Sequence, residues 1–244
     1  MSKLLAFHND PKIKETYLKR LELHYKADEI VKGIYWEKGK GCAVGCTVEK
    51  NGNEDPHLAM EKELGIPKEL AYLEDALFEE LPNGESKEFP VTFLNAIPVG
   101  ADLSLITAKF VVWQFEDKKY GLKNIKEVKD DKNVYRICEA VTNAYKAVIK
   151  GETVTQEQWE NLYQEAEKIY ETRARTRAWA WAGAWAGART AGLRAWARTV
   201  GVQAWSRTAG ALALVDYEKY ALIQSRQLLK LLKESNPTLL KDNV

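Results

Sequence analysis

Cysteine, methionine and net charge are all scarce in this sequence. Three cysteines and two methionines among 244 residues exclude a disulfide framework, which requires paired thiols at high density. A reducing compartment, the cytoplasm, is therefore the expected location. Long apolar runs are missing as well. The longest uncharged one, Ala178 to Ala188, has 11 residues, against the roughly 20 that a membrane-spanning helix needs. No membrane segment is expected. Near the start, Leu4-Leu5-Ala6-Phe7 gives way to His8-Asn9-Asp10 before reaching the length of a secretory signal core. A formal net charge of +1 excludes polyanion binding by bulk charge alone. Two catalytic signatures are also absent. Lys38-Gly39-Lys40-Gly41 lacks the spacing of a phosphate loop, and there is no serine nucleophile elbow.

What is present suits a packed core: 45% hydrophobic and 29% charged residues, an ordinary globular balance. Helical periodicity dominates. Asp10 and Pro11 open a helix with Ile13, Tyr17, Leu21 and Tyr25 at every fourth position. Leu70, Leu73, Leu77 and Leu81 form a second stripe, and Phe89, Phe93 and Ile97 a third. Asp102 is placed to cap a helix carrying Ile106, Phe110 and Trp113, and Val134, Ile137, Val141, Ala144 and Val148 mark another that Gly151 ends. Thr155 and Gln158 have the capping-box spacing. Strands are allowed only near residues 35–50 and 110–116. The reading is an all-α protein. Residues 1–151 form a helical N-terminal domain with a Gly/Cys turn. Residues 152–244 form an Ala-rich helical region, packed on the first or continuous with its core.

From Arg173 the composition shifts to Ala, Gly, Trp, Arg and Thr. The strings RTAGLRAWA, RTVGVQAWS and RTAGALALV follow one another from residue 189 to 215. Nine residues advance a helix by half a turn, so Trp196 and Trp205 would face opposite sides. Gly183, Gly187, Ala191, Ala195 and Thr199 form a ridge of small side chains that would let another helix approach closely. A helix break is expected near Gly183–Gly192 or Gly201–Gly210. Between Glu171 and Asp216 there is no acid, but there are seven arginines: Arg173, Arg175, Arg177, Arg189, Arg194, Arg198 and Arg207. Trp179, Trp181, Trp185, Trp196 and Trp205 are interleaved with them. A guanidinium forks onto phosphate and an indole stacks on a base. The segment thus reads either as a site for an anionic, nucleotide-like ligand or as structural packing in which tryptophan fills gaps and arginine meets acids of the first half.

Chemistry, if any, would sit in the first 57 residues, which hold all three histidines and two of the cysteines. Cys42 and Cys46 in C-x3-C spacing could join His57 and His8 around zinc. Alternatively, Cys42 could act as a nucleophile activated by His57 and Lys40, which would lower its pKa. The third reading is that small thiols simply pack beside a tight glycine turn.

Ala6-Phe7-His8-Asn9-Asp10, Gly39 through Cys46, Glu63-Leu64-Gly65-Ile66-Pro67 and Ile97 through Leu103 resemble a group of uncharacterised bacterial and phage proteins. These share the N-terminal part and end in a variable Ala-rich repetitive tail. The resemblance implies a phage or mobile-element context and carries no activity with it. The leading expectation is a non-enzymatic binding protein for an anionic ligand or a host protein partner, with nucleic acid not favoured. The rivals are a thiol enzyme using Cys42 and His57, and a homo-oligomer built on small-residue helix packing.

Overall fold

The computed structural model describes residues 4–50, 54–173 and 217–235. A single turn at Ala6–Asn9 leads into α1 (Pro11–Lys26), the two-residue strands β1 (Trp36–Glu37) and β2 (Lys40–Gly41), α2 (Ala43–Val48), α3 (Pro56–Leu64), α4 (Lys68–Glu80), α5 (Asn83–Ala96) and α6 (Ile106–Glu116). After a 3-10 turn at Leu122–Asn124 come α7 (Lys126–Asp130), α8 (Lys132–Ile149), α9 (Gln156–Arg173) and, beyond the undescribed stretch, α10 (Tyr217–Lys233). The fold is all-α, as the periodicity indicates. β1 and β2 pair antiparallel, Trp36 opposite Gly41, inside the first window allowed for strands. The second window, 110–116, is helical and belongs to α6. Among the described residues no helix is long and apolar enough to cross a membrane.

Helix boundaries follow local chemistry. Asp10 accepts from the Lys12 N–H at 2.8 Å and Pro11 occupies the first turn of α1. Asp55 and Pro56 repeat the device at α3, where the Asp55 carboxylate accepts from the Leu58 N–H. Asp102 accepts from Ser104 N–H at 3.0 Å, but this closes a turn, and α6 begins only at Ile106. The four-residue spacing in α1 misleads at its end. Leu21 is buried, whereas Tyr25 is 46% exposed. Each step of four residues overshoots a full turn by about 40°, so the stripe rotates away from the core and His24 takes the inward position.

The chain divides into two compact units: residues up to Thr107 together with those from Glu218 on, and Ala108–Tyr217. This differs from a boundary at 151. Gly151 does end α8, with φ of 81°, but α8 and α9 pack on each other across it, so the glycine turns a helical hairpin. In the first unit α2 is central. All six of its residues are buried, and it contacts α1, α3, α4 and α5. In the second unit Phe115, Leu122, Val128, Val134 and Cys138 form a core joined by Ile125, Tyr135 and Ile169.

Candidate functional site

The Gly/Cys sequence builds α2, and its glycines are what let it sit at the centre of the first unit. A Cβ on Gly45 would lie 1.4 Å from the Tyr35 carbonyl oxygen, so only glycine permits the approach of that loop. Cys42 caps the helix, its Sγ accepting from the Gly45 N–H at 3.4 Å. Cys46 donates its thiol to the Gly41 carbonyl at 3.2 Å. Both thiols are buried.

Around Cys42 the structure collects residues from three elements. His57, second residue of α3, is 2% exposed. Its Nδ1 lies 3.6 Å from Asp55 Oδ1 and its Nε2 lies 3.4 Å from Asp75 Oδ2. The Tyr72 ring stacks on it at 3.7 Å, and Tyr35 meets it edge-on at 5.7 Å. The charge of Asp75 also acts on the Cys42 thiol, and Lys68 pairs with Asp55. Nε2 of His57 and Oδ1 of Asp75 have no hydrogen-bond partner of their own. The pattern behind this cluster lies in α4. Lys68, Tyr72, Asp75 and Glu79 fall within about 60° of arc, while Leu70, Leu73 and Leu77 occupy the opposite side. Glu74 falls on the leucine side, fully buried, with neither carboxyl oxygen hydrogen-bonded.

The electrostatics of the cluster favour neutral thiols. Burial, then Asp75, pushes the Cys42 thiol well above its usual range, and Glu79 adds to the shift. Burial drives Cys46 up to about 12. Burial also raises the Tyr35 hydroxyl, with Asp75 and Cys42 contributing. Burial alone would raise the Asp55 carboxyl, but the Lys68 ammonium and the Leu58 N–H outweigh it and hold Asp55 below the ordinary range. Glu74 is raised far above the carboxylate range by burial and by Asp75. A nucleophilic thiolate needs a positive field. Cys42 meets the opposite, the negative charges of Asp75 and Glu79.

The expected activation of Cys42 is therefore not assembled. The His57 nitrogens face Asp55 and Asp75, and no hydrogen bond links His57 to Cys42 among the described residues. Lys40 is exposed on β2, and the charges acting on Cys42 are those of Asp75 and Glu79. The expected zinc set also comes apart. His8 Nε2 bonds the Lys62 carbonyl at 2.9 Å, Cys46 faces the carbonyls of Gly41 and Glu29, and His57 lies between its two aspartates. Among the described residues no three His, Cys, Asp or Glu side chains are arranged to hold a metal ion. Of the expected ligand-binding residues, Arg173 ends α9. Arg175, Arg177, Trp179, Arg189, Arg194, Trp196, Arg198, Trp205 and Arg207 lie outside the described residues.

Sequence reasoning missed Asp55, Tyr72 and Asp75. Asp55-Pro56 carried the same signal as Asp10-Pro11, and the 68/72/75/79 spacing was open to inspection. A second place of interest is an open groove of about 420 Å³ between α8 and α9. Glu152 and Glu165, the latter paired with Arg136, line it with Gln158 and Asn161. No protein-family model, no curated protein and no solved structure matches the chain.

Proposed function

We propose that this is a non-enzymatic binding protein whose Arg/Trp segment engages a planar anionic, nucleotide-like ligand. The observation that carries the reading is the charge division along the chain. Thr172 to Val215 holds seven arginines and no acid, which leaves the remaining residues at a net −6 within the overall +1. Interleaved tryptophans supply stacking faces and arginines supply bidentate donors. Support also comes from the fate of the rival. Thiol chemistry at Cys42 would need an accessible, acidified sulfur, and this one is buried, capping a helix and raised in pKa. The competing explanation for the arginines, pairing with acids of the first half, loses candidates. Asp28 pairs with Lys87, Asp55 with Lys68, and Glu49 with Arg20 at 3.5 Å.

A thermal-shift screen of the full chain with nucleotides tests this. A ligand at 100 times its dissociation constant adds about 2.7 kcal/mol of stability. The shift should shrink as salt rises, because exposed charges are screened beyond about 8 Å at physiological ionic strength. It should also shrink when Arg194 and Arg198 are replaced by alanine. A silent screen turns the assignment to a protein partner. A salt-independent shift removes the arginines from the account.

A further inference from the structure

His57 is flanked by two aspartates in different settings. On one side its Nδ1 faces Asp55 at 3.6 Å. Asp55 has a cation of its own, the Lys68 ammonium, which also lies 5.6 Å from the centre of the Tyr72 ring. On the other side Nε2 faces Asp75 Oδ2 at 3.4 Å, without hydrogen-bond geometry. Among the described residues no lysine or arginine pairs with Asp75. His57 Nε2 and Asp75 Oδ1 are both buried, and neither has a hydrogen-bond partner. Buried polar atoms ordinarily find one. His24, the inward-facing histidine of α1, shows the ordinary case, with Glu29 Oε2 2.6 Å from Nδ1 and Glu49 Oε1 3.2 Å from Nε2.

The charge around the two unpaired atoms is negative. Glu79 follows Asp75 by one turn of α4 and accepts from the Gly33 N–H at 2.9 Å. Burial raises its carboxyl, and Asp75 adds to the rise against the Gly33 N–H and the more distant Lys32. Lys32 itself donates to the Leu81 carbonyl. Asp75 and Glu79 both act on Cys42, which places the three groups together. The Cys42 thiol and the Tyr35 hydroxyl are kept neutral by burial and offer no positive charge. Carboxylates left without a counter-charge in so dry a setting attract a cation.

The groups present suit an ammonium. It carries three N–H donors and a charge. Asp75 Oδ1 lacks a donor, and so does Nε2 when the ring proton is on Nδ1. Lys68 already seats an ammonium beside an aspartate and the Tyr72 ring in this cluster. A metal ion would need more ligands, and among the described residues no three His, Cys, Asp or Glu side chains are arranged for one. Tyr35 marks the way in. Its carbonyl rests where a Cβ of Gly41 or Gly45 would stand. Its ring meets His57 edge-on, yet the residue is 39% exposed, so the side chain reaches from solvent to the buried imidazole.

We propose that Asp75, His57 and Glu79 bind a primary ammonium group, the head of a small amine, which enters past Tyr35. The amine stands to Asp75 as Lys68 stands to Asp55. This site is separate from the Arg/Trp segment and does not depend on its ligand.

Methylammonium chloride is the probe, exchanged for sodium chloride at constant pH and ionic strength with the full chain. A ligand of two heavy atoms is limited to half-saturation at roughly 10–100 mM. The His57 ring signals in carbon–proton NMR should shift along a saturating curve, while those of the exposed His8 stay still. The melting temperature should rise by about 2 °C at three times the half-saturating concentration. Tetramethylammonium, which has no N–H, should do neither. Asp75→Asn keeps the shape and removes the charge, and should move half-saturation at least about tenfold higher. Should that variant fail to fold, Glu79→Gln, whose amide oxygen still accepts from Gly33, should move it about threefold. An equal response to tetramethylammonium, a His57 signal that does not move, or an unchanged half-saturation in the folded variant each overturns the proposal.

Discussion

At the scale of single residues, the first unit depends on atoms that are missing as much as on those present. Gly45 has no room for a methyl group beside the Tyr35 carbonyl. Gly45→Ala should therefore cost at least about 3 kcal/mol in urea denaturation, the upper range for overpacking a core. Gly84 is the control, because a methyl group there would meet nothing within 4 Å. It lies in α5, and alanine at this position should leave stability unchanged or raise it by up to about 1 kcal/mol. Gly65 is constrained twice over, by φ of 64° and by the Leu5 carbonyl 2.1 Å from any Cβ. It seats the Ala6–Asn9 turn, in which Phe7, His8 and Asn9 all have positive φ, a conformation that costs L-residues about 1–2 kcal/mol each. Glu74 makes a different prediction. Burial raises its carboxyl in the folded protein, while the unfolded chain leaves it at the ordinary glutamate value, so the unfolded state binds fewer protons once pH passes the ordinary glutamate range. Stability should then decline with pH from about 4.5 upward, by up to about 1.4 kcal/mol per unit. Glu74→Leu should flatten that decline and stabilise the protein at pH 7, as pH-dependent thermal melts would show. A decline of equal slope in the variant would clear Glu74 of this role.

At the scale of elements, helix starts were legible because they are local. Asp10 and the Thr155/Gln158 pair act where the sequence places them. The Thr155 N–H donates to Gln158 Oε1 at 2.7 Å, and the Gln158 N–H donates to Thr155 Oγ1 at 3.2 Å. Thr155→Ala should destabilise by about 1 kcal/mol, measured by chemical denaturation. Combining it with Gln158→Ala should cost less than the sum of the two, because the reciprocal bonds act together. The same local logic failed at residues 110–116. Phe110, Val111 and Val112 have strand propensity, but Phe110, Val111 and Phe115 are buried from α6, and packing outweighs so weak a preference. In α4 the leucine stripe was plain from its spacing. The polar face of Lys68, Tyr72, Asp75 and Glu79 was equally regular, yet a charged stripe ordinarily means a solvated face. Here Asp75 and Lys68 turn inward because α2 and α3, bearing Cys42, His57 and Asp55, lie against that side.

At the scale of the whole molecule, two predictions separate the functional readings. Native protein at neutral pH should leave Cys42, Cys46 and Cys138 unlabelled by iodoacetamide over a time in which the unfolded chain reacts at all three. Fast native labelling of Cys42 would restore the thiol-enzyme reading. Binding of an anionic ligand should weaken as salt is added, as an Arg-dependent site requires. What the sequence alone determined is whatever depends on neighbours along the chain: helical periodicity, caps, the lack of a disulfide framework, and the concentration of positive charge between residues 173 and 207. What only the tertiary structure decided is which polar groups meet. Cys42 stands 15 positions before His57 and 33 before Asp75, and His24 stands 25 before Glu49. No periodicity links such pairs. Whether a thiol finds a cation or a carboxylate is set by the packing of helices, and that packing buries Cys42 as the cap of α2 with the negative charge of Asp75 acting on it.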